Sequence, residues 1–375
     1  MIIDINRACP DSGSYRSALV KSLFNVEDAT TFRLKADLPI EDRPWSIGLV
    51  TGPSGSGKSS IGEELAKVGF TFHKPGDWPH NAPIVDAIAP EGDWQAVTGA
   101  LAAVGLGTVP SWLRPYHVLS TGEKFRAELA RIVSEAPGKI IVDEFTSVVD
   151  RQIARIGAHA FAKAWRRTGG RAVLLSCHED VAAWLQPDWV YDTGAGEFRW
   201  GAVQPRPRIE LVIRQTGWEW WPLFEAHHYL KLPRMIAATN YVGFVDGRPV
   251  AHLAVSTRSR HEARACRLVV MPEWQGAGVG LRFLGAVCDM WRRGENRYGR
   301  PMPVLFHTSH PGLAAALRRM PGWHQVSARL YGENKVKSAS TIARAAVAKG
   351  RPPVKSGYGG HFRAVQGFRY LGEDA

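Results

Sequence analysis

One stretch constrains the fold of this chain more than any other: Trp45–Ser60, WSIGLVTGPSGSGKSS. Ile47, Leu49 and Val50 form a short apolar run that reads as a buried strand. Gly52, Pro53, Ser54, Gly55, Ser56, Gly57, Lys58 and Ser59 then spell G-x-x-x-x-G-K-[ST] without a mismatch. Glycines are needed there because the backbone N–H groups must wrap an anion, and a Cβ would block the approach. Lys58 adds a point charge for the β- and γ-phosphates and Ser59 offers a hydroxyl to Mg²⁺. Ser60-Ile61-Gly62-Glu63-Glu64 opens a helix whose N-terminus faces the polyphosphate. The competing reading is a Gly/Ser-rich linker. A linker has no reason to carry an apolar strand before it, Lys-Ser at its end and a helical pattern after it.

Further polar motifs follow in order. Leu119-Ser120-Thr121-Gly122-Glu123 stands at a turn into a helix N-terminus, a second natural anion site. Lys139–Glu144 reads as an apolar strand with two carboxylates at its C-terminal end, the edge where open parallel sheets hold ligands. Asp143 there suits Mg²⁺, and Glu144 suits a base that orients and deprotonates water. Ser147–Asp150, a helix over 151–167 and a strand over Ala172–Ser176 come next, the last running on to His178. Residues 1–44 read as strands leading into the glycine-loop strand. Phe32 and Trp45 are aromatic enough to stack on a base, or are plain core. Pro75–Pro115 reads as a compact insertion with helical pieces at Ile84–Ile88 and Trp94–Val104.

These five ordered motifs resemble those of the ATP-binding-cassette ATPases over about residues 20–200. The resemblance implies that ATP lies on Gly52–Ser60 with Mg²⁺ on Ser59 and Asp143, that Glu144 is the catalytic base and that His178 is the switch histidine. It also implies that Ser120, Thr121, Gly122 and Glu123 close over the ATP of a second copy, so the working form is a homodimer. One departure matters. The glutamine expected after the strand following the glycine-loop helix is missing from Phe72–Trp78, which leaves His73 or Asp77 to serve.

With 375 residues and 45% hydrophobic content, two or three domains with real cores are expected. No run of eighteen apolar residues exists, so no membrane span is expected. The start, MIIDINRACP, lacks the features of a signal peptide. Cys9, Cys177, Cys266 and Cys288 are scattered, which suits a reduced, cytoplasmic protein. Charge is uneven: residues 1–205 hold 21 Lys+Arg against 24 Asp+Glu, and residues 206–375 hold 26 against 11, a net of −3 against +15. Such asymmetry points to a polyanion partner for the second half, or to an Arg-rich compositional bias.

Pro205-Arg206-Pro207-Arg208 reads as a linker. Beyond it come strand-like Ile209–Arg214, then Trp218, Trp220, Trp221 and Phe224, which favour core over a stacking platform. Tyr241–Ser256 reads as a hairpin turning at Asp246-Gly247. Ala265–Met271 is a strand that runs into Pro272-Glu273-Trp274-Gln275-Gly276-Ala277-Gly278-Val279-Gly280 and a helix through Trp291. A lysine-free strand–glycine loop–helix unit suits a pyrophosphate held by backbone amides, and a dinucleotide site fits it too. Strand Val304–His307 and helix Gly312–Arg319 follow.

Hairpin, strand, Q-x-x-G-x-G loop, helix, strand, helix resembles the GNAT acyltransferases over about residues 209–330. The resemblance implies acyl-CoA on Val270, Gln275, Gly276, Ala277, Gly278, Val279 and Gly280. The tyrosine that family often uses as general acid is absent from Gly312–Leu317. His228-Tyr229 resembles the His-Tyr pair of Mom-type enzymes, GNAT-like proteins that modify adenine in DNA, and His307, Ser309 and His310 are the other acid–base candidates. A basic stretch from Ala328 to Tyr370 carries Arg329, Lys335, Lys337, Arg344, Lys349, Arg351, Lys355, Arg363 and Arg369, either a phosphate-binding arm or a solvated tail.

The expected architecture is therefore α/β, with a P-loop ATP-binding-cassette domain at 1–204 (insertion about 75–118), a linker at 205–208 and an α+β GNAT-like domain at 209–375 with a basic extension at about 331–375. The leading function is ATP-coupled acyl transfer from acyl-CoA to a nucleic-acid base, DNA before RNA. Acetylation of a protein lysine or small amine is the second reading. An ATP-driven nucleic-acid-binding protein with a non-catalytic CoA-binding domain is the third.

Overall fold

The computed structural model describes residues 1–8, 13–24, 31–135, 138–202, 204–229, 234–235, 237–259, 261–329, 347 and 364–372. By its contacts the chain divides into two compact units. The first holds Met1–Gly76, Ala136–Val148 and Trp165–Pro207; the second holds Asp77–Glu135, Val149–Ala164 and Arg208–Ala375. The insertion and the residues after the 147–150 motif thus group with the second half, whereas their motifs align with the first. Cys9 and most of the basic stretch, including Lys335, Lys337, Arg344, Lys349, Arg351, Lys355 and Arg363, lie outside the described residues. No helix among the described residues is long and apolar enough to cross a membrane.

Elements are numbered in chain order. The first unit is built on a six-stranded sheet in the order β4 (Thr71–Phe72), β5 (Lys139–Val142), β6 (Arg171–Ser176), β3 (Ile47–Thr51), β7 (Trp189–Asp192), β8 (Glu197–Trp200). All neighbours are parallel except β7 and β8, which form a hairpin. The apolar run before the glycine loop is β3, buried at every position as a strand covered on both faces must be. The parallel registers place Thr51, Val142 and Ser176 toward one sheet edge, so the loops that follow them emerge together there. Helix α2 (Lys58–Lys67) follows the glycine loop, and the short α8 (Ala182–Leu185) precedes β7.

A two-stranded antiparallel ribbon, β1 (Ile2–Ala8) with β2 (Thr31–Asp37), adds Ile3, Ile5, Ala36 and Leu38 to the core with Trp45, Val50, Ile61 and Leu175. Between these strands the chain forms a helix, α1 (Tyr15–Phe24). The strand expectation for residues 1–44 fails there. Leu19, Val20 and Leu23 are exposed and the helix has almost no apolar face, so no periodicity announced it.

The second unit contains α3 (Ile84–Ala87), α4 (Trp94–Ala103), α5 (Val109–Trp112), α6 (Thr121–Glu135) and α7 (Arg151–Trp165). Its sheet runs in the order β14 (Trp323–Arg329), β15 (Val365–Tyr370), β13 (Val304–Thr308), β12 (Glu262–Val270), β11 (Arg248–Ser259), β10 (Thr239–Val245), β9 (Val212–Thr216). The hairpin turn between β10 and β11 has φ +49° at Asp246 and +74° at Gly247, the paired positive angles that match strand twist. Short α9 (Trp221–Glu225) precedes β10, α10 (Val279–Arg293) follows β12 and α11 (Pro311–Arg318) follows β13. Trp221 and Phe224 are buried with Val242, Phe244 and Val269, and Trp218 and Trp220 pack on that cluster, which makes the tryptophans core.

Among the described residues β12 and β13 are the only parallel pair in this sheet. They pair over Ala263–Ala265 and Val304–Phe306, after which β12 runs on to Val270 without β13. On its other side β12 is bulged between Cys266 and Val269, where Arg267 has φ +55°. The two strands therefore part at the end where the glycine-rich loop begins.

Candidate functional site

The glycine loop of the first unit has φ +140° at Gly52, +77° at Gly55 and +95° at Gly57, the last capping α2. A Cβ on Gly52 would fall 2.1 Å from Thr193 Oγ1, and one on Gly57 2.5 Å from the Phe32 ring. Two neighbours of the loop thus emerge that its motif does not contain. Thr193 also bonds Ser56 Oγ at 2.5 Å. Phe32 lies against the loop, whereas Trp45 is buried and stacked on Phe70, so Trp45 is core. Lys58 Nζ donates to the carbonyls of Gly52 (2.9 Å) and Pro53 (2.7 Å), which holds its charge over the loop.

The first strand edge joins residues far apart in sequence. Ser59 Oγ donates to Asp143 Oδ2 at 2.7 Å, and Asp143 Oδ1 accepts the Glu144 amide at 2.8 Å. Among the described residues no three His, Cys, Asp or Glu side chains form a metal cluster. One hydroxyl and one carboxylate suit Mg²⁺, which keeps waters and takes its remaining ligands from phosphates. Glu144 is exposed and has φ +50°, an uncommon backbone state for a non-glycine residue. The Phe145 amide donates to Leu175 O (2.8 Å) and Ser176 Oγ donates to Phe145 O (3.0 Å), pinning the turn after Glu144 to the end of β6. His178 leaves that same end, its amide bonded to Ser176 Oγ. In the missing-glutamine region, the His73 amide donates to Ile141 O of β5 at 2.7 Å.

In the second unit Ser120 and Glu123 form a capping box at the start of α6. Glu123 Oε2 accepts the Ser120 amide and hydroxyl, both at 2.9 Å. Glu123 Oε1 accepts Ser111 Oγ at 2.6 Å. Burial raises the Glu123 pKa, but these donors and Arg114 outweigh it and leave it lowered. Gly122 sits where a Cβ would meet Ile153 Cδ1 at 2.8 Å, so α6 approaches α7 closely there.

The six residues Gln275–Gly280 play different parts. The amides of Gln275 and Ala277 donate to Pro272 O and Trp274 O, so they stay within the turn. Gly276, φ +91°, is packed: its Cβ would stand 2.9 Å from Ala160 Cβ. Gly278, φ +77°, caps α10 and faces open space, and a Cβ on Gly280 would meet Val270 Cγ2 at 2.8 Å. The carbonyl of Val270 accepts Gln275 Nε2 at 3.0 Å and so anchors the loop. What remains is the N-terminus of a 15-residue helix with glycine-lined amides, an arrangement that favours an anion.

The acid–base candidates fall apart spatially. His228 is 6% exposed, its ring edge-on to Trp221 at 5.6 Å, while adjacent Tyr229 is 43% exposed. Their rings are 5.0 Å apart. His310 has a structural part instead: Nδ1 accepts the Leu313 amide (3.2 Å), capping α11, and Nε2 donates to Gly107 O (3.1 Å). Accepting at Nδ1 needs the neutral ring, and burial lowers its pKa accordingly. A group sequence reading missed is His252 on β11, fully buried among Trp218, Trp221 and Phe224, with Nε2 lacking a hydrogen-bond partner. A histidine inside an apolar strand carries no periodic signal that would have marked it.

No family model matches the chain. The cytochrome c biogenesis ATP-binding export protein CcmA of Rhodospirillum rubrum is 29% identical over 204 residues, 46% of this chain and 86% of that protein. A putative ABC transporter ATP-binding protein of Methanothermobacter marburgensis is 31% identical over 152 residues, but the chain spans only 52% of its length. A dimeric ATP-binding cassette bound to ADP and phosphate aligns with 53% of this chain and 98% of its own at 14% identity, with a TM-score of 0.38. The CcmA protein of Pseudomonas fluorescens is 30% identical over 161 residues that cover 34% of this chain and 74% of that protein. With that degree of identity over most of a relative's length, beside the Ser59–Asp143 edge, the chain belongs to the ATP-binding-cassette ATPases.

Proposed function

We propose that the chain is a Mg²⁺-dependent ATPase that works as a dimer and couples ATP turnover to acyl transfer from acyl-CoA to a nucleic-acid base. The observation that carries the ATPase reading is the 2.7 Å bond between Ser59 and Asp143, which draws the glycine loop and the acidic strand end to one point. Mg²⁺ held there would neutralise charge between the β- and γ-phosphates. Lys58 supplies a second positive charge. Glu144 accepts a proton from the attacking water, and His178 stands on the neighbouring strand end. Ser120–Glu123 serves a second copy's nucleotide, which makes the active form a dimer with two equivalent sites. Glu144→Gln should keep ATP binding and lower turnover about 100- to 10,000-fold; hydrolysis at the parent rate would refute the assignment.

The acyl-CoA reading draws support from the parting of β12 and β13, the bulge at Arg267 and the glycine loop that follows. The amides of Gly276, Gly278, Val279 and Gly280 suit a pyrophosphate. In the transfer the acceptor nitrogen attacks the thioester carbonyl, the C–S bond breaks, and one proton passes from nitrogen to the leaving sulfur through a protein group or water. Tyr229, exposed beside buried His228, is the group we assign to that passage. Gly278→Asp points a carboxylate into the open side of the loop, so calorimetry should find CoA binding abolished and ATPase activity intact.

The nucleic-acid acceptor rests on the +15 net charge of residues 206–375 and on His228-Tyr229. Mass analysis of nucleosides from cells with and without the protein tests it directly. An unchanged nucleoside pool together with acylated lysine or small amine would move the acceptor there. One observation favours a non-catalytic second half: α11 has no tyrosine and His310 is committed to its cap. Tight CoA and DNA binding without any acyl transfer would decide for that reading.

A further inference from the structure

The loop Gln275–Gly280 is held from outside by the insertion. The Gly107 amide donates to Gln275 Oε1 at 3.0 Å, and His310 Nε2 donates to Gly107 O at 3.1 Å. A Cβ on Gly105 would lie 2.3 Å from Gln275 O, and one on Gly276 would lie 3.1 Å from Gly105 Cα. Backbone therefore rests on backbone, with no side chain between to absorb a displacement.

The same turn is tied to the Ser120–Glu123 motif. Trp112 Nε1 donates to Leu106 O at 2.6 Å, within the turn that grips Gln275, and Trp112 packs edge-on to His310 at 5.3 Å. Beside Trp112 on α5, Ser111 Oγ donates to Glu123 Oε1 at 2.6 Å. Glu123 in turn holds the Ser120 amide and hydroxyl. Hydrogen bonds and a ring contact thus run from the motif through α5 to the loop, all inside one compact unit.

A second link runs beside the first. Arg126, in the first turns of α6, is 3% exposed, and its Nε and Nη2 have no hydrogen-bond partner. Burial lowers its pKa to about 10 against the opposing pull of Glu273 and Glu123. Glu273 lies in the 3₁₀ turn Pro272–Trp274 that leads into the glycine loop. A buried guanidinium with unmade bonds between two carboxylates is costly where it stands. Glu123 shares α6 with Arg126, so a small movement of α6 toward the turn that carries Glu273 relieves that cost, which supplies the two-position element a coupling needs.

We infer that the Ser120–Glu123 motif and the Gln275–Gly280 loop form one coupled device, so that nucleotide engaged at the motif changes the loop's affinity for its ligand. By linkage, ligand on the loop changes nucleotide affinity by the same factor. The naming of that ligand as acyl-CoA rests on the proposed function; the coupling itself does not.

The test uses the full chain carrying Glu144→Gln. CoA is titrated calorimetrically with and without saturating MgATP, and amide hydrogen exchange over residues 275–282 is followed in the same two states. MgATP should change CoA affinity about 5- to 100-fold and alter exchange in the loop. Ser111→Ala, which removes the bond to Glu123 Oε1 but alters no residue of the motif or of the loop, should bring the two CoA affinities within about twofold of each other. Trp112→Phe, which removes the bond to Leu106 O, is the second decoupling variant should Ser111→Ala disturb folding. CoA binding that ignores MgATP, with unchanged exchange, overturns the coupling and leaves the acyl-CoA reading standing. No CoA binding but nucleotide-dependent exchange that Ser111→Ala abolishes supports the coupling and removes acyl-CoA as the ligand. Silence in both measurements ends both.

Discussion

Two glycines two residues apart in one loop should respond very differently to the same methyl group. In Gly276→Ala the new Cβ meets Ala160 Cβ at 2.9 Å and Gly105 Cα at 3.1 Å, in a backbone held at φ +91°. Overpacking against backbone costs about 1–3 kcal/mol, and a left-handed alanine adds about 1–2 kcal/mol. In Gly278→Ala, φ is +77° but the Cβ points into open space, so only the conformational cost of about 1–2 kcal/mol remains. The difference of about 1–3 kcal/mol corresponds to a Tm for Gly276→Ala lower by roughly 2–10 °C. Thermal unfolding of the two variants side by side, followed by tryptophan fluorescence, reads it. Equal losses, or a larger loss in Gly278→Ala, would refute the packing of Gly105 and Ala160 on this loop.

Three further outcomes are expected. Burial, aided by facing Arg267 and His228, holds the His252 pKa down to about 4 from 6.5, against its contact with Arg267 O. The folded chain then binds fewer protons than the unfolded chain between those values. Stability from this group is full above pH 6.5 and is lost as pH falls toward 4, on the order of 3 kcal/mol, and denaturation of His252→Gln should show a flatter pH dependence in that window. Tyr229→Phe should bind CoA and nucleic acid as the parent does and lose acyl transfer; parental transfer rates would exclude its hydroxyl. Charge reversal at Lys335, Lys337, Arg351 and Lys355 should weaken DNA binding and flatten its salt dependence by about one logarithmic unit of slope per lost phosphate contact, with CoA titrations unchanged.

The elements that could be read from sequence are those whose pattern is local. The glycine-loop strand, the Asp246-Gly247 hairpin and the helix through Trp291 announce themselves by burial run, turn chemistry and apolar period. The Ser59–Asp143 edge was legible because its two halves are motifs of their own, although only folding joins them. Helix α1 was missed because its apolar residues do not share a face, and the β7–β8 hairpin because its strands are four residues each. The glycine motif 276–280 concealed a division of labour: one glycine packs, one faces solvent and one approaches Val270. Neither Thr193 nor Ser111 carries a motif, since each acts through a single hydroxyl bonded to a residue elsewhere in the sequence.

The placement of β15 sets a timetable for synthesis. Val365–Tyr370 enters the second sheet between β13 and β14 and pairs with both, so β14 reaches that sheet only through it. A ribosome adding about 5–20 residues per second has completed every strand of the first sheet by Trp200, but must travel on to Tyr370 before the second can close. During that interval β13 presents an open edge of the kind that recruits other nascent chains. A translational pause or a chaperone acting over this part of the message should therefore raise the yield of native protein more than the same aid given during synthesis of the first two hundred residues.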